Sequence, residues 1–126
     1  MAKIKDIIAR VDENVINAFS EEQKMAWISE LDGKIGLDVM LLNIAEVQNL
    51  QYKYPEDLES EPLVRFPHED LYVLYLTAQI DFANREMDKY QNSITMYNAA
   101  YDNFVRWFVR TYDPAQGYRR YYNVGN

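Results

Sequence analysis

The side chain best suited to acid–base or metal chemistry is His68, the only His in a chain that contains no Cys. Cys-based catalysis is therefore excluded, and a Ser-His-Asp triad would have to use His68. His68 and Glu69 begin like a zinc-binding H-E-x-x-H helix, but Tyr72 stands where the second His is required. Since no nucleophile, base and orienting group occur together, we predict that the protein is not an enzyme. A small hydrolase built around His68 is the weakest alternative.

The acidic segment before His68 alternates like a calcium-binding loop without completing one. Asp57, Glu59 and Glu61 fit the first, third and fifth positions of such a loop. However, Pro62 replaces the Gly needed at the sixth position, and His68 replaces the Glu needed at the twelfth. We therefore predict no bound metal.

Gly33 and Gly36 form a G-x-x-G pattern, which clamps a nucleic acid backbone in some RNA-binding domains. Here the pattern lies within a predicted helix, and Ile28 stands where a phosphate-binding loop requires an earlier Gly. We interpret both glycines as small residues at a helix contact, and we predict no cofactor.

The composition describes one domain with an acidic balance. The 126 residues are 26% charged, and 13 basic against 20 acidic side chains give a net charge of −7. Phosphate binding needs many Lys and Arg, so sequence-specific nucleic acid binding is not expected. The first 14 residues lack the apolar stretch of a signal peptide. No apolar run approaches the length of about 20 residues that spans a membrane, so we expect no membrane partner.

Apolar residues at helical spacing predict an all-α fold, a compact bundle of about four helices. The first helix is short and covers about residues 3–11. The second begins after Ser20, which has the residue type of an N-cap and precedes two acidic residues, and its apolar stripe continues to Leu42. The third opens at Pro67 and His68 and is apolar on two sides, which predicts a central position.

The fourth helix has the clearest pattern, because apolar residues recur at alternating steps of three and four. With Asn84 and Arg85 as the turn, the third and fourth helices should form a long antiparallel hairpin that the second helix covers. The predicted seam consists of Met87, Tyr90, Ile94, Tyr97, Tyr101, Phe104 and Phe108.

Two segments lack helical periodicity. Residues 43–66 are acidic, contain Pro55 and Pro62, and are predicted to form one long loop with at most a short strand. Residues 113–126 follow the last helix as an extended C-terminal tail. We predict a single domain over residues 1–126, with its core in residues 20–112.

The C-terminal region combines aromatic and basic residues in a way that is typical of interfaces. Residues 103–126 contain four Arg against one acid, whereas the first 63 residues carry 13 acidic and 6 basic side chains. An acidic loop and a basic tail could therefore meet between subunits, although an ordinary solvated surface explains the charges equally well. The residues predicted to anchor an interface are Trp107, Arg110, Tyr118, Arg119, Arg120, Tyr121 and Tyr122.

A second candidate surface is a stripe of polar residues along the fourth helix. Its members recur at steps of three and four, so they share one face of that helix. They are Gln91, Thr95, Asn98 and Asp102, with Met96 and Ala100 beside them.

Three regions of the chain resemble a group of small prophage proteins that are encoded among capsid and tail genes. They are residues 27–33 (WISELDG), residues 69–76 and 78–84 (EDLYVLYL, AQIDFAN), and residues 90–93 and 96–101 (YQNS, MYNAAY). The resemblance covers about residues 5–112, and the group is similar to the head-tail connector, or adaptor, proteins of long-tailed phages. Members often have Gly at the position of Arg85.

This resemblance implies an α-helical subunit that joins others in an oligomeric ring between the portal and the tail. The implied location is the head-tail junction of the virion, after synthesis in the cytoplasm of a bacterial host. The implied partners are further copies of the chain and portal or tail completion proteins, with passive contact to DNA in a channel. No catalytic residues are implied.

The main alternative is a small helical regulatory protein of prophage origin that binds another phage or host protein. Self-association distinguishes the two functions, because a ring subunit requires it and a stoichiometric regulator does not. The charge pattern and the polar stripe are compatible with both.

Overall fold

The computed structural model describes residues 2–112, which form five α-helices and one 3₁₀ helix and contain no β-strand. This confirms the predicted all-α helical bundle. Residues 113–126, the predicted tail, lie outside the described residues. The α-helices are α1 (Ile4–Asn14), α2 (Glu21–Asp38), α3 (Ile44–Gln48), α4 (Asp70–Ala83) and α5 (Met87–Thr111), and the 3₁₀ helix is Glu56–Glu59.

The first helix belongs to the hydrophobic core, which corrects the predicted core of residues 20–112. One whole face of α1 is buried, because its apolar residues recur at helical spacing. Two backbone donors fix its N-terminal end: Ala2 N–H donates to Glu69 Oε2 at 2.8 Å, and Ile4 N–H donates to the Ser60 carbonyl at 2.9 Å. The core residues of α1 are at most 1% exposed and are Ile4, Ile7, Ile8 and Val11.

α2 begins at the predicted cap, since the Ser20 hydroxyl accepts a hydrogen bond from Gln23 N–H at 3.0 Å. The helix ends at Asp38 instead of Leu42, although Leu42 is still buried. Its buried apolar stripe packs against α1 and α4 and contains Met25, Ile28, Leu31 and Ile35.

The two glycines of α2 have different surroundings. A Cβ atom on Gly36 would lie 3.0 Å from Leu50 Cδ1 and 3.2 Å from Leu42 Cδ1, which confirms this residue as a small residue at a close contact. At Gly33 no neighbouring atom lies within 4 Å of the same position. The contact interpretation is therefore wrong for Gly33, which lines an open groove.

Residues 43–66 contain helical turns and no strand, so the short strand allowed in the predicted loop is absent. A reciprocal cap explains α3: Asn43 Oδ1 accepts from Glu46 N–H at 2.9 Å, and Glu46 Oε1 accepts from Asn43 N–H at 3.2 Å. The segment is also anchored in the core by three buried side chains, Leu50, Leu63 and Val64.

α4 and α5 form the predicted hairpin, with Arg85 in the turn at a φ of 57°. The two helices are antiparallel. Asp81 contacts Ser93 near the turn, and Tyr75 contacts Tyr97 farther from it. α4 starts at Asp70, slightly later than the predicted opening at Pro67 and His68.

The seam of α5 is buried only in its second half. Phe104 and Phe108 are fully buried, whereas Tyr97 is half-buried and Met87 is 46% exposed. The first half of α5 packs mainly against α4, and its outer side is exposed to solvent.

Candidate functional site

His68 lies just before α4 and packs against aromatic side chains. Its ring centroid is 4.7 Å from that of Trp107 and 5.5 Å from that of Phe104. Among the described residues, Nδ1 has no hydrogen-bond partner. Burial lowers the pKa of His68, and the nearby charge of Asp70 partly offsets this effect. Within residues 2–112, no three His, Asp or Glu side chains lie close enough together to hold a metal ion.

Trp107, one of the predicted interface residues, packs within its own subunit. It is half-buried, and its ring lies 6.1 Å from Phe104 and 5.8 Å from Tyr112, in addition to its contact with His68. The sequence pattern places Trp107 off the seam of α5. His68 widens the buried face of α5 at this point, but it is remote in sequence, so the pattern of α5 alone does not show the contact. Part of the Trp107 side chain is thus buried within its own subunit.

The predicted polar stripe is exposed along its full length. Thr95 Oγ1 donates to the Gln91 carbonyl of its own helix at 2.7 Å, and Asp102 pairs with Arg106 at 2.6 Å. Arg110 is also exposed, one turn beyond Arg106. The stripe residues Gln91, Thr95, Asn98 and Asp102 thus form a continuous surface that the subunit core does not use.

This part of α5 contains no charged residue between Lys89 and Asp102. At the chain average of 26%, such a stretch of 12 residues would hold about three charges. Met96 is 58% exposed in its middle. We call the exposed residues of this stretch the α5 face: Gln91, Asn92, Thr95, Met96, Asn98 and Ala99.

The remaining predicted interface residues lie outside the described residues. They are Tyr118, Arg119, Arg120, Tyr121 and Tyr122. Tyr112, the last described residue, contacts Phe108 with ring centroids 5.0 Å apart.

A buried polar network that sequence reasoning missed joins α2, α4 and the segment between them. Asp32 on α2 is 0% exposed, and its carboxylate accepts from the hydroxyls of Tyr52 and Tyr72, each at 2.5 Å, and from Leu63 N–H at 3.0 Å. The Tyr72 hydroxyl in turn accepts from Val64 N–H at 2.6 Å. Burial raises the pKa of Asp32 to about 6, although these hydrogen bonds act to lower it.

One signal could have revealed Asp32. It follows Ile28 by four positions and precedes Ile35 by three, so it interrupts the apolar stripe of α2. A carboxylate at such a position must find hydrogen-bond donors when the stripe is buried. Its partners Tyr52 and Tyr72 are 20 and 40 residues away, and no local pattern identifies them.

A second missed feature is an apolar surface where α2 ends and α3 begins. Leu37 is 48% exposed, Leu41 62% and Ile44 68%. We call these three residues the α2–α3 patch. Leu37 also lines an open groove of about 500 Å³, together with Ala26, Ser29, Glu30, Gly33, Lys34, Asp38, Val47, Gln48, Leu50 and Gln51.

Comparison with known proteins identifies no relative of this chain: no family model, no curated protein and no solved structure matches it. Among residues 2–112, no helix combines the length and the apolar character that crossing a membrane requires.

Proposed function

We propose that the protein is a structural assembly subunit that self-associates into a ring, and that this ring is a head-tail connector between the portal and the tail of a phage. The α5 face is the observation that carries the self-association. A helix exposed only to water normally carries charged residues on its outer side. Here the outer side of α5 is uncharged from Gln91 to Ala99, and it contains the exposed side chain of Met96.

The composition of this surface is that of an interface centre with a charged rim. Interface centres are depleted in charged residues and enriched in Met, and their rims are polar. The Glu86–Lys89 pair borders the α5 face at one end, and the Asp102–Arg106 pair borders it at the other. A surface of this kind is suited to a protein partner.

The connector assignment is supported by the resemblance of residues 27–33, 69–84 and 90–101 to prophage proteins. The net charge of −7 is compatible with it, because an acidic channel wall offers DNA no phosphate contacts and allows it to pass. In this function the partners are further copies of the chain, the portal protein and tail completion proteins.

Light scattering after size exclusion tests the proposal, with the protein alone and mixed with the portal protein of the same phage. We expect a ring-sized species or recruitment to the portal. Met96→Lys should abolish this association, because it puts a charge at the centre of the α5 face. The matched control is Ala83→Lys, which adds the same charge at an exposed position on α4.

A wild-type protein that stays monomeric and does not bind the portal would contradict the connector function and favour the small regulator. Equal assembly of the Met96→Lys and Ala83→Lys variants would remove the α5 face from the interface.

A further inference from the structure

The α2–α3 patch places three large aliphatic side chains in solvent within eight residues. Each of Leu37, Leu41 and Ile44 is about half exposed or more. Single exposed apolar residues are common, but three within eight residues, one of which lines a groove, favour a binding surface. The groove wall on α2 is built from the small residues Ala26, Ser29 and Gly33, and no atom lies within 4 Å of where a Gly33 side chain would begin.

Leu41 has a strained backbone. Its φ is 54°, in the left-handed region that favours Gly, three residues after the last residue of α2. Backbone bonds from Met40 N–H to the Ile35 carbonyl and from Leu42 N–H to the Gly36 carbonyl hold this turn. The strained residue therefore presents a leucine side chain to solvent where Gly would be the less strained choice.

The C-terminal part of α5 and the C-terminal half of α2 lie at the same end of the bundle. Asp32 on α2 bonds Tyr72 in the first turn of α4, so the C-terminal half of α2 lies at the N-terminal end of α4. His68 contacts Phe104, which places the C-terminal part of α5 there as well. The chain continues beyond Tyr112 for 14 residues, a length of up to about 46 Å when extended.

We propose that the α2–α3 patch and its groove bind residues 113–126 of a neighbouring copy. This proposal rests on the proposed self-assembly and names a second surface for it. The segment has the composition of an interface anchor, with Tyr118, Tyr121 and Tyr122 as aromatic residues that combine an apolar ring with a polar hydroxyl.

Charge complementarity favours the same pairing. The segment contains Arg119 and Arg120 against the single acid Asp113, so it is basic. The groove is lined by the carboxylates of Glu30 and Asp38 and by one ammonium group, that of Lys34, which pairs with Glu30 at 3.6 Å. The basic residues of the tail thus meet a surface with a net negative charge.

Binding between copies through two different surfaces explains how a ring could form. A contact that uses the same patch on both subunits stops at a dimer, whereas a contact between two distinct patches continues from subunit to subunit and closes into a ring. The tail of one copy and the α2–α3 patch of the next supply two such distinct surfaces.

The test compares two full-length variants by sedimentation velocity, one altered in the patch and one in the tail. The patch variant carries Leu41→Gly and Ile44→Ser, and the tail variant carries Tyr121→Ala and Tyr122→Ala. Each alone should lose the ring-sized species. Their equimolar mixture should form complexes that contain both variants, because one intact tail then meets one intact patch.

Two controls keep the experiment interpretable. Ile16→Ser truncates an isoleucine that is 98% exposed outside the patch, and it should assemble like the wild type. Leu41→Gly alone should raise the thermal midpoint, since Gly relieves the left-handed backbone, while it weakens assembly. A loss of assembly in this variant cannot then result from unfolding.

Patch and tail variants that assemble like the wild type overturn this proposal, and they leave the proposed ring function intact if Met96→Lys still abolishes assembly. Single variants that fail to assemble and whose mixture also fails overturn the tail-to-patch pairing. A wild-type chain that is monomeric with and without the portal protein overturns both proposals.

Discussion

The buried carboxylate of Asp32 should make the stability of this protein depend on pH in an unusual direction. The pKa of Asp32 rises from an ordinary value of 3.8 to about 6 in the folded state, chiefly because the side chain is removed from water. A difference of about 2.2 units corresponds to about 3 kcal/mol at 1.36 kcal/mol per unit. The perturbation that isolates this contribution is Asp32→Asn, which keeps the shape of the side chain and removes its titration.

The sign follows from which state binds the proton more tightly. The folded state does, so the contribution of Asp32 to stability is fully present below pH 3.8 and is lost as the pH rises through about 6. Asp12 acts in the opposite direction: burial alone would raise its pKa, but hydrogen bonds from Lys24 and Asn17 lower it overall. The contributions of Asp12 and other titrating groups are the same in both proteins. They cancel when the free energy of unfolding of the variant is subtracted from that of the wild type.

Urea denaturation of both proteins at pH 7 and pH 5 measures this difference. With pKa values of 3.8 and about 6, the Asp32 contribution at pH 5 exceeds that at pH 7 by about 1 kcal/mol. The Asn amide also loses hydrogen bonds within the network, but that loss is the same at both pH values. The variant should therefore be more destabilised at pH 5 than at pH 7 by about 1 kcal/mol. An equal loss at the two pH values would refute the reasoning.

Two further predictions concern the free energy of unfolding, measured by urea denaturation. Tyr72→Phe removes a buried hydroxyl that donates to Asp32 and accepts from a backbone N–H, so it should destabilise the protein by about 1–3 kcal/mol. The control is Tyr54→Phe at an exposed position, which should change stability by less than about 0.5 kcal/mol. Equal effects would show that the network contributes nothing. Gly33→Ala should stabilise the protein by up to about 1 kcal/mol, because Ala favours the helix and the new methyl group meets open space. Gly36→Ala should give a smaller gain, because its methyl group would lie 3.0 and 3.2 Å from Leu side chains. Identical gains at the two positions would contradict the contact geometry.

The features that the sequence predicted correctly depend on neighbouring residues. The seven apolar positions of the fourth helix recur within one segment, and the turn at Arg85 lies between two strong periodic patterns, so the hairpin followed from local spacing. The Ser20 cap is local in the same sense, since its partner Gln23 is three residues away. Such signals need no knowledge of the rest of the fold.

The features that were missed depend on residues that are distant in sequence. The ring contact between Trp107 and His68 joins two elements, so the pattern of the fourth helix alone does not show it. Residues 43–66 appeared irregular, yet the core buries Leu50 and Val64 and the Asn43 cap forms a short helix. Propensity and periodicity report on one element at a time, so they do not show which buried groups another element will supply.

The Asp32 network has a consequence for local opening of the protein. Leu63 and Val64 belong to no helix, yet both amides donate to side chains of the network, to Asp32 and to the Tyr72 hydroxyl. Amides in irregular segments normally exchange their hydrogens with solvent quickly, because little energy is needed to open them. These two amides can exchange only when the bonds between the segment and the helices break. Their exchange rates therefore report how firmly the segment before α4 is attached to the rest of the molecule.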